Sequence, residues 1–166
     1  MLEIVRLFFE IACFQKAPQD VPFSRALTKM LLLFYVVVKF LGLFMSSDYF
    51  TAALQTGVDI LLLLAFLHVA LKWTRKSERF RQTFCALLGT ETLLAVFSIP
   101  AIAIMLVPTA GGFGVLGFYS MIALILWHWA VIAHILSHAL EQAFSFSVGL
   151  ALLYMMANYF ISGFLV

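Results

Sequence analysis

Six ionisable residues interrupt otherwise apolar runs in this chain: Lys39, Asp59, His68, Glu91, His128 and His134. An ammonium, two carboxylates and three imidazoles can exchange protons, pair as ions or ligate metal. In hydrocarbon such groups are costly, so they face a bundle interior or a wet cavity and are functional candidates by default. A seventh and eighth group continue one pattern. His134, His138 and Glu141 read H-x3-H-x2-E, and positions i, i+4 and i+7 share a helix face, so the three could converge on a metal. His68 and His134 could alternatively form a bis-histidine haem site, since both lie four or five residues from the same end of their segments.

The elements that must position these groups are membrane helices. Of 166 residues, 64% are hydrophobic and 11% charged, and the mean hydropathy is +1.09. A soluble domain is about 45–50% apolar and about 25% charged, so this chain cannot cover its apolar surface in water. A span needs about 20 apolar residues, and five segments qualify: 26–46, 51–73, 83–107, 115–138 and 143–165. A four-span reading would leave one helix over 115–165, too long for a bilayer. The expected fold is therefore all-α, a five-helix transmembrane domain over 25–166 preceded by a segment over 1–24. In that segment Glu3, Arg6 and Glu10 share one face of an amphipathic pattern, as in a helix lying at the membrane interface. Pro18 and Pro22 break it, and Ser24 is placed to N-cap span 1. Pro100 should kink span 3, and Gly111, Gly112 and Gly114 mark a turn.

Basic residues set the orientation. Lys72, Arg75, Lys76, Arg79 and Arg81 flank the 2–3 connection, and Arg6, Lys16, Arg25 and Lys29 lie at or before the start of span 1. All fall on one side if the N-terminus is cytoplasmic and the C-terminus opposite. The basic loop needs no nucleic acid to explain it; it suits anionic headgroups or a partner protein. Cys13 and Cys85 have no metal or CxxC spacing, so no disulfide is expected, and no cleavable signal peptide is expected either.

Depth then pairs the buried groups. Lys39 is seven residues from the outer end of span 1 and Asp59 eight from the outer end of span 2, which at about 1.5 Å per residue places them at one level. An ion pair follows; the alternative is a lone lysine snorkelling outward. The pair either fastens two helices or titrates in function. Glu91 and His128 match to about 3 Å in a second, inner layer with His68, and Thr90 and Thr92 are candidate extra donors. Trp127 and Trp129 flank His128 and must point to nearly opposite sides.

The cytoplasmic basic loop leading into "SERFRQTFCALLGTETLLAVFSIP", and the later "LILWHWAVIAHILSHALEQAFSFSVGLALLY", give an order of parts that resembles the Yip1-domain family over residues 20–165. "KAPQDVPFS" is similar to a pattern in small bacterial inner-membrane proteins. The resemblance implies a Yip1-like five-span bundle with a cytoplasmic N-terminus and carries over no functional residue. No catalytic motif or cofactor signature is present, and the connections are too short for a catalytic domain. The leading expectation is a non-enzymatic accessory, scaffold or assembly subunit of a bacterial inner-membrane complex. Small residues Ser145, Ser147, Gly149 and Ala151 would offer it a packing face. The alternatives are a small proton- or ion-coupled transporter working through Lys39, Asp59, Glu91 and His128, and a haem or metal subunit.

Overall fold

The computed structural model describes residues 2–105 and 112–164. Six α-helices follow in order: α1 (Leu2–Ala12), α2 (Arg25–Phe44), α3 (Tyr49–Trp73), α4 (Phe80–Met105), α5 (Gly112–Leu140) and α6 (Phe144–Gly163). The chain is all-helical, and the last five helices are long and apolar enough to cross a membrane. This is the architecture of a multi-pass membrane protein.

The helix ends explain the small shifts from the expected spans. Ser24 caps α2 by accepting from the Leu27 amide at 3.3 Å. Asp48 starts α3 two residues early, because its carboxylate accepts from the Phe50 and Thr51 amides, each at 3.1 Å. Three helices stop in the same way. Phe14, Arg75 and Glu141 adopt φ of 63°, 58° and 52°, and the amide of the next residue reaches back five positions, to Glu10, Leu71 and Ser137. That is the left-handed helix stop, which glycine makes without a Cβ penalty; here three side-chain-bearing residues make it. The helix α4 runs on through Pro100 to Met105. Gly112 opens α5 rather than standing in a turn, and the expected turn residue Gly111 lies outside the described residues.

The bundle alternates direction. Thr28 meets Cys85 at 3.0 Å near the starts of α2 and α4, and Gln55 reaches the Ser162 carbonyl near the start of α3 and the end of α6. The basic residues of the α3–α4 connection therefore share one end of the bundle with Arg25 and Lys29. At the centre stands α4, which packs against α1, α2 and α5, while α6 packs chiefly on α5.

The first helix is amphipathic as expected, and part of its apolar face is buried on protein. Phe8, Ile11 and Ala12 are buried, whereas Leu2, Val5 and Phe9 stay exposed. The Phe8 ring fills the space left by the missing Cβ of Gly89, and Trp127 Nε1 donates to the Ala12 carbonyl at 2.9 Å. Beyond α1, Gln19 Nε2 donates to the His138 carbonyl and Gln82 to the Val21 carbonyl, so the linker is also seated on α4 and α5.

The basic end carries a clamp. Lys76 and Arg79 both donate to the Glu141 carboxylate, and Arg79 Nη1 also donates to the His138 carbonyl at 3.1 Å. These donors hold the Glu141 carboxyl below its ordinary value of 4.5. A carboxylate with a lowered folded-state pKa stabilises above the ordinary value, and that contribution is lost as pH falls through the lowered one. Thermal melts should therefore be insensitive to Glu141→Gln below that range and show a wild-type advantage above it, an advantage that added salt reduces.

Candidate functional site

Halfway along the bundle the two polar layers meet. Lys39 Nζ of α2 lies 3.0 Å from Asp59 Oδ2 of α3, so the depth match becomes an ion pair. Asn158 Nδ2 of α6 donates to the other oxygen, Oδ1, also at 3.0 Å. Asp59 is 3% exposed, and both its oxygens are engaged. One helical turn before Asn158, on the same face of α6, Tyr154 Oη donates to Glu91 Oε1 of α4 at 3.4 Å. A single face of α6 thus ties both carboxylates into one cluster.

On α2 the same i, i+4 spacing recurs. Lys39 Nζ sits 5.7 Å from the centroid of the Tyr35 ring, within cation–π range. Tyr35 is fully buried and its hydroxyl has no hydrogen-bond partner among the described residues. His128 Nε2 of α5 approaches Glu91 Oε1 to 3.9 Å, beyond hydrogen-bond length, and is likewise buried and unpartnered. Glu91, 4% exposed, therefore has one long hydrogen bond, while the Tyr35 hydroxyl and the His128 nitrogen stand near it without completing one.

A cavity of about 270 Å³ between α2, α4 and α5 reaches this cluster. Its walls run from Ser46 at the end of α2, past Ile102 and Ser98 on α4, to Lys39, Glu91 and His128. Small-molecule pockets span about 300–1,000 Å³, so the space suits an ion with its water or a small solute.

Other sequence candidates do not join the cluster. Thr90 and Thr92 do not serve Glu91; their hydroxyls donate back to carbonyls of their own helix, Ala86 and Leu88, at 2.8 and 2.6 Å. His68 is exposed and stands edge-on to Phe80, so it does not belong to the inner layer. His134 Nε2 bonds to the Lys16 carbonyl at 3.0 Å and packs on Phe14, so His68 and His134 have different neighbours and the haem pairing has no geometry behind it. His138 Nδ1 meets the His134 carbonyl at 2.9 Å, and Glu141 is turned to Lys76 and Arg79 past the end of α5. The two histidine rings of the H-x3-H-x2-E face meet, with centroids 4.4 Å apart, but Glu141 does not join them, and among the described residues no three His, Cys, Asp or Glu side chains are placed to hold a metal ion. Trp127 and Trp129 do diverge, one to Ala12 and the other to the Val148 carbonyl at 3.0 Å. Of the basic loop, Lys76 and Arg79 are committed to the clamp, leaving Lys72, Arg75 and Arg81 exposed.

The class defined by fold and site is a small helical membrane bundle with a charged cluster at mid-depth. No protein-family model, curated protein or solved structure matches the chain.

Proposed function

We propose that the protein is a small ion- or proton-coupled transporter, with Lys39, Asp59, Glu91 and His128 as its working residues and Asn158 and Tyr154 holding the two acids in place. The observation that carries this reading is the cavity whose inner wall is Lys39, Glu91 and His128. A cluster that only fastened helices would gain from dry, close packing, since a gap leaves buried charges without partners. Here the incompletely paired carboxylate is the one that borders open space.

The scaffold reading draws less support. Of its small-residue face, Ser147 and Ala151 are buried within the bundle, so half of that surface is already used internally. The resemblance to Yip1-domain proteins bears on the order of spans and leaves this choice open. We place the chain in a bacterial inner membrane with its N-terminus cytoplasmic, because the positive-inside rule then accounts for every basic residue but Lys39. In that orientation the Ser46 end of the cavity faces outward.

Ser98 tests whether the cavity is wet. In a chain carrying Cys13→Ser and Cys85→Ser, Ser98→Cys should react with a membrane-impermeant thiol reagent, added from the outer side only. Val96→Cys, an exposed position outside the cavity lining, should stay unreactive. An unreactive Ser98→Cys in the folded protein would overturn the transporter reading.

A further inference from the structure

The charges of the cluster do not balance, and the imbalance points to a ligand. From α2 come the Lys39 ammonium and the neutral Tyr35 hydroxyl; from α3, the Asp59 carboxylate; from α4, the Glu91 carboxylate; from α5, the His128 imidazole; from α6, the neutral Tyr154 and Asn158. Of the charged groups of α1 and its linker, Arg6 and Lys16 both pair with Glu10 at 2.8 Å each, Asp20 accepts from the Ala17 amide, and Glu3 is exposed. Lys39 and Asp59 cancel at 3.0 Å. That leaves Glu91 as one negative charge, 4% exposed, facing an imidazole that is 3.9 Å away. A carboxylate this deeply buried stays ionised only with one positive charge close by, and otherwise takes up a proton.

We infer that Glu91 and His128 form a single-charge exchange site, occupied by one proton or by one small monovalent cation in the adjoining cavity, each displacing the other. The inference rests on the transporter reading and names its ligands. With a proton aboard, the imidazolium and carboxylate need to close by about 1 Å to form a charge-assisted hydrogen bond. With a cation at Glu91, the imidazole is neutral and its proton has gone to water. Both together would put a surplus positive charge beside Lys39, at a site with little water to screen it. Only one positive charge is missing, which selects a monovalent cation.

The cavity supplies the remaining chemistry. Ser98 Oγ donates to the Ala95 carbonyl at 2.7 Å and Ser46 Oγ to the Leu43 carbonyl at 3.2 Å. With their protons so committed, both hydroxyls keep oxygen lone pairs for a cation. Ser98 lies two turns beyond Glu91 on the same side of α4, about 10 Å along the axis. The hydroxyls therefore mark the way in, while the cation at Glu91 keeps part of its water.

Proton release measures the exchange directly. The full chain, purified in detergent at near-neutral pH with a pH-indicating dye and little buffer, receives lithium, sodium, potassium or methylammonium chloride in turn, against choline chloride at equal ionic strength. At least one of these cations should release up to one proton per chain at saturation. By reciprocity its apparent affinity should weaken about tenfold for each pH unit on the acid side. Glu91→Gln should abolish the release; if that variant does not fold, His128→Asn, at a less buried position, carries the same expectation. No release with any of the four cations, or full release from a folded Glu91→Gln chain, would overturn the inference. A reactive Ser98→Cys with no proton release would defeat the exchange site alone and leave the transporter reading standing.

Discussion

Replacing Lys39 by methionine should destabilise the protein by about 3–5 kcal/mol, the loss seen when one partner of a buried ion pair is removed. The physical reason is the position of the partner left behind. Asp59 is 3% exposed, on the third turn of α3, and among the described residues has only Asn158 left as a hydrogen-bond partner. The reverse change, Asp59→Leu, should cost less. Lys39 keeps a side chain 26% exposed on a long, flexible stem, so part of its charge can escape toward water. Joining the two changes should recover most of the stability, because the remaining apolar side chains need no counter-charge. Unfolding in mixed micelles reads all three variants. If the double variant instead loses the sum of the single losses, the two side chains act independently and the pair is not what holds them.

Gly89→Val should release α1. The Phe8 ring occupies the position a Cβ would take at Gly89, and helix backbone on one side and a rigid ring on the other leave no soft atom to yield. Overpacking of this kind costs about 1–3 kcal/mol when the neighbours can shift. Here the easier response is for Phe8 to leave, taking with it the Trp127 bond to the Ala12 carbonyl. Amide exchange over residues 2–12 should rise sharply while that of α4 below Gly89 changes little. Phe8→Ala combined with Gly89→Ala should restore part of the protection, since the new methyl enters the space the ring gave up. A Gly89→Val chain with unchanged protection of α1 would mean that Phe8 is not its anchor.

Much of the fold was legible because hydropathy and length alone decide what can cross a bilayer. Positive charge then sorted the helix ends. The Lys39–Asp59 pair was legible for the same reason: a short connection makes α2 and α3 neighbours, and counting residues from it gives depth. Depth without azimuth is where such counting stops. It placed His68 and His134 at one level, yet His68 meets Phe80 and His134 meets the Lys16 carbonyl. It also matched Glu91 to His128 but not the 3.9 Å gap between them.

Tyr35, Tyr154 and Asn158 escaped because they carry no charge, and a search for ionisable groups passes over them. Their signal was nevertheless present. Both α2 and α6 carry a tyrosine four residues before a polar side chain in an apolar run, Tyr35 before Lys39 and Tyr154 before Asn158. That spacing puts each pair on one face. The seating of α1 had no comparable signal, since nothing local to Gly89 says that a ring 81 residues earlier in the chain will fill its place.

Transport itself is the most direct measurement. Vesicles containing the reconstituted chain and an entrapped pH dye are given an inward gradient of the cation that displaces the proton. Cation entering should drive protons out, so the interior should turn alkaline faster than in protein-free vesicles. Glu91→Gln vesicles should match the protein-free ones. Wild-type vesicles no faster than protein-free vesicles, from a chain whose Ser98→Cys variant reacts with the aqueous reagent, would contradict a transport role for the buried cluster.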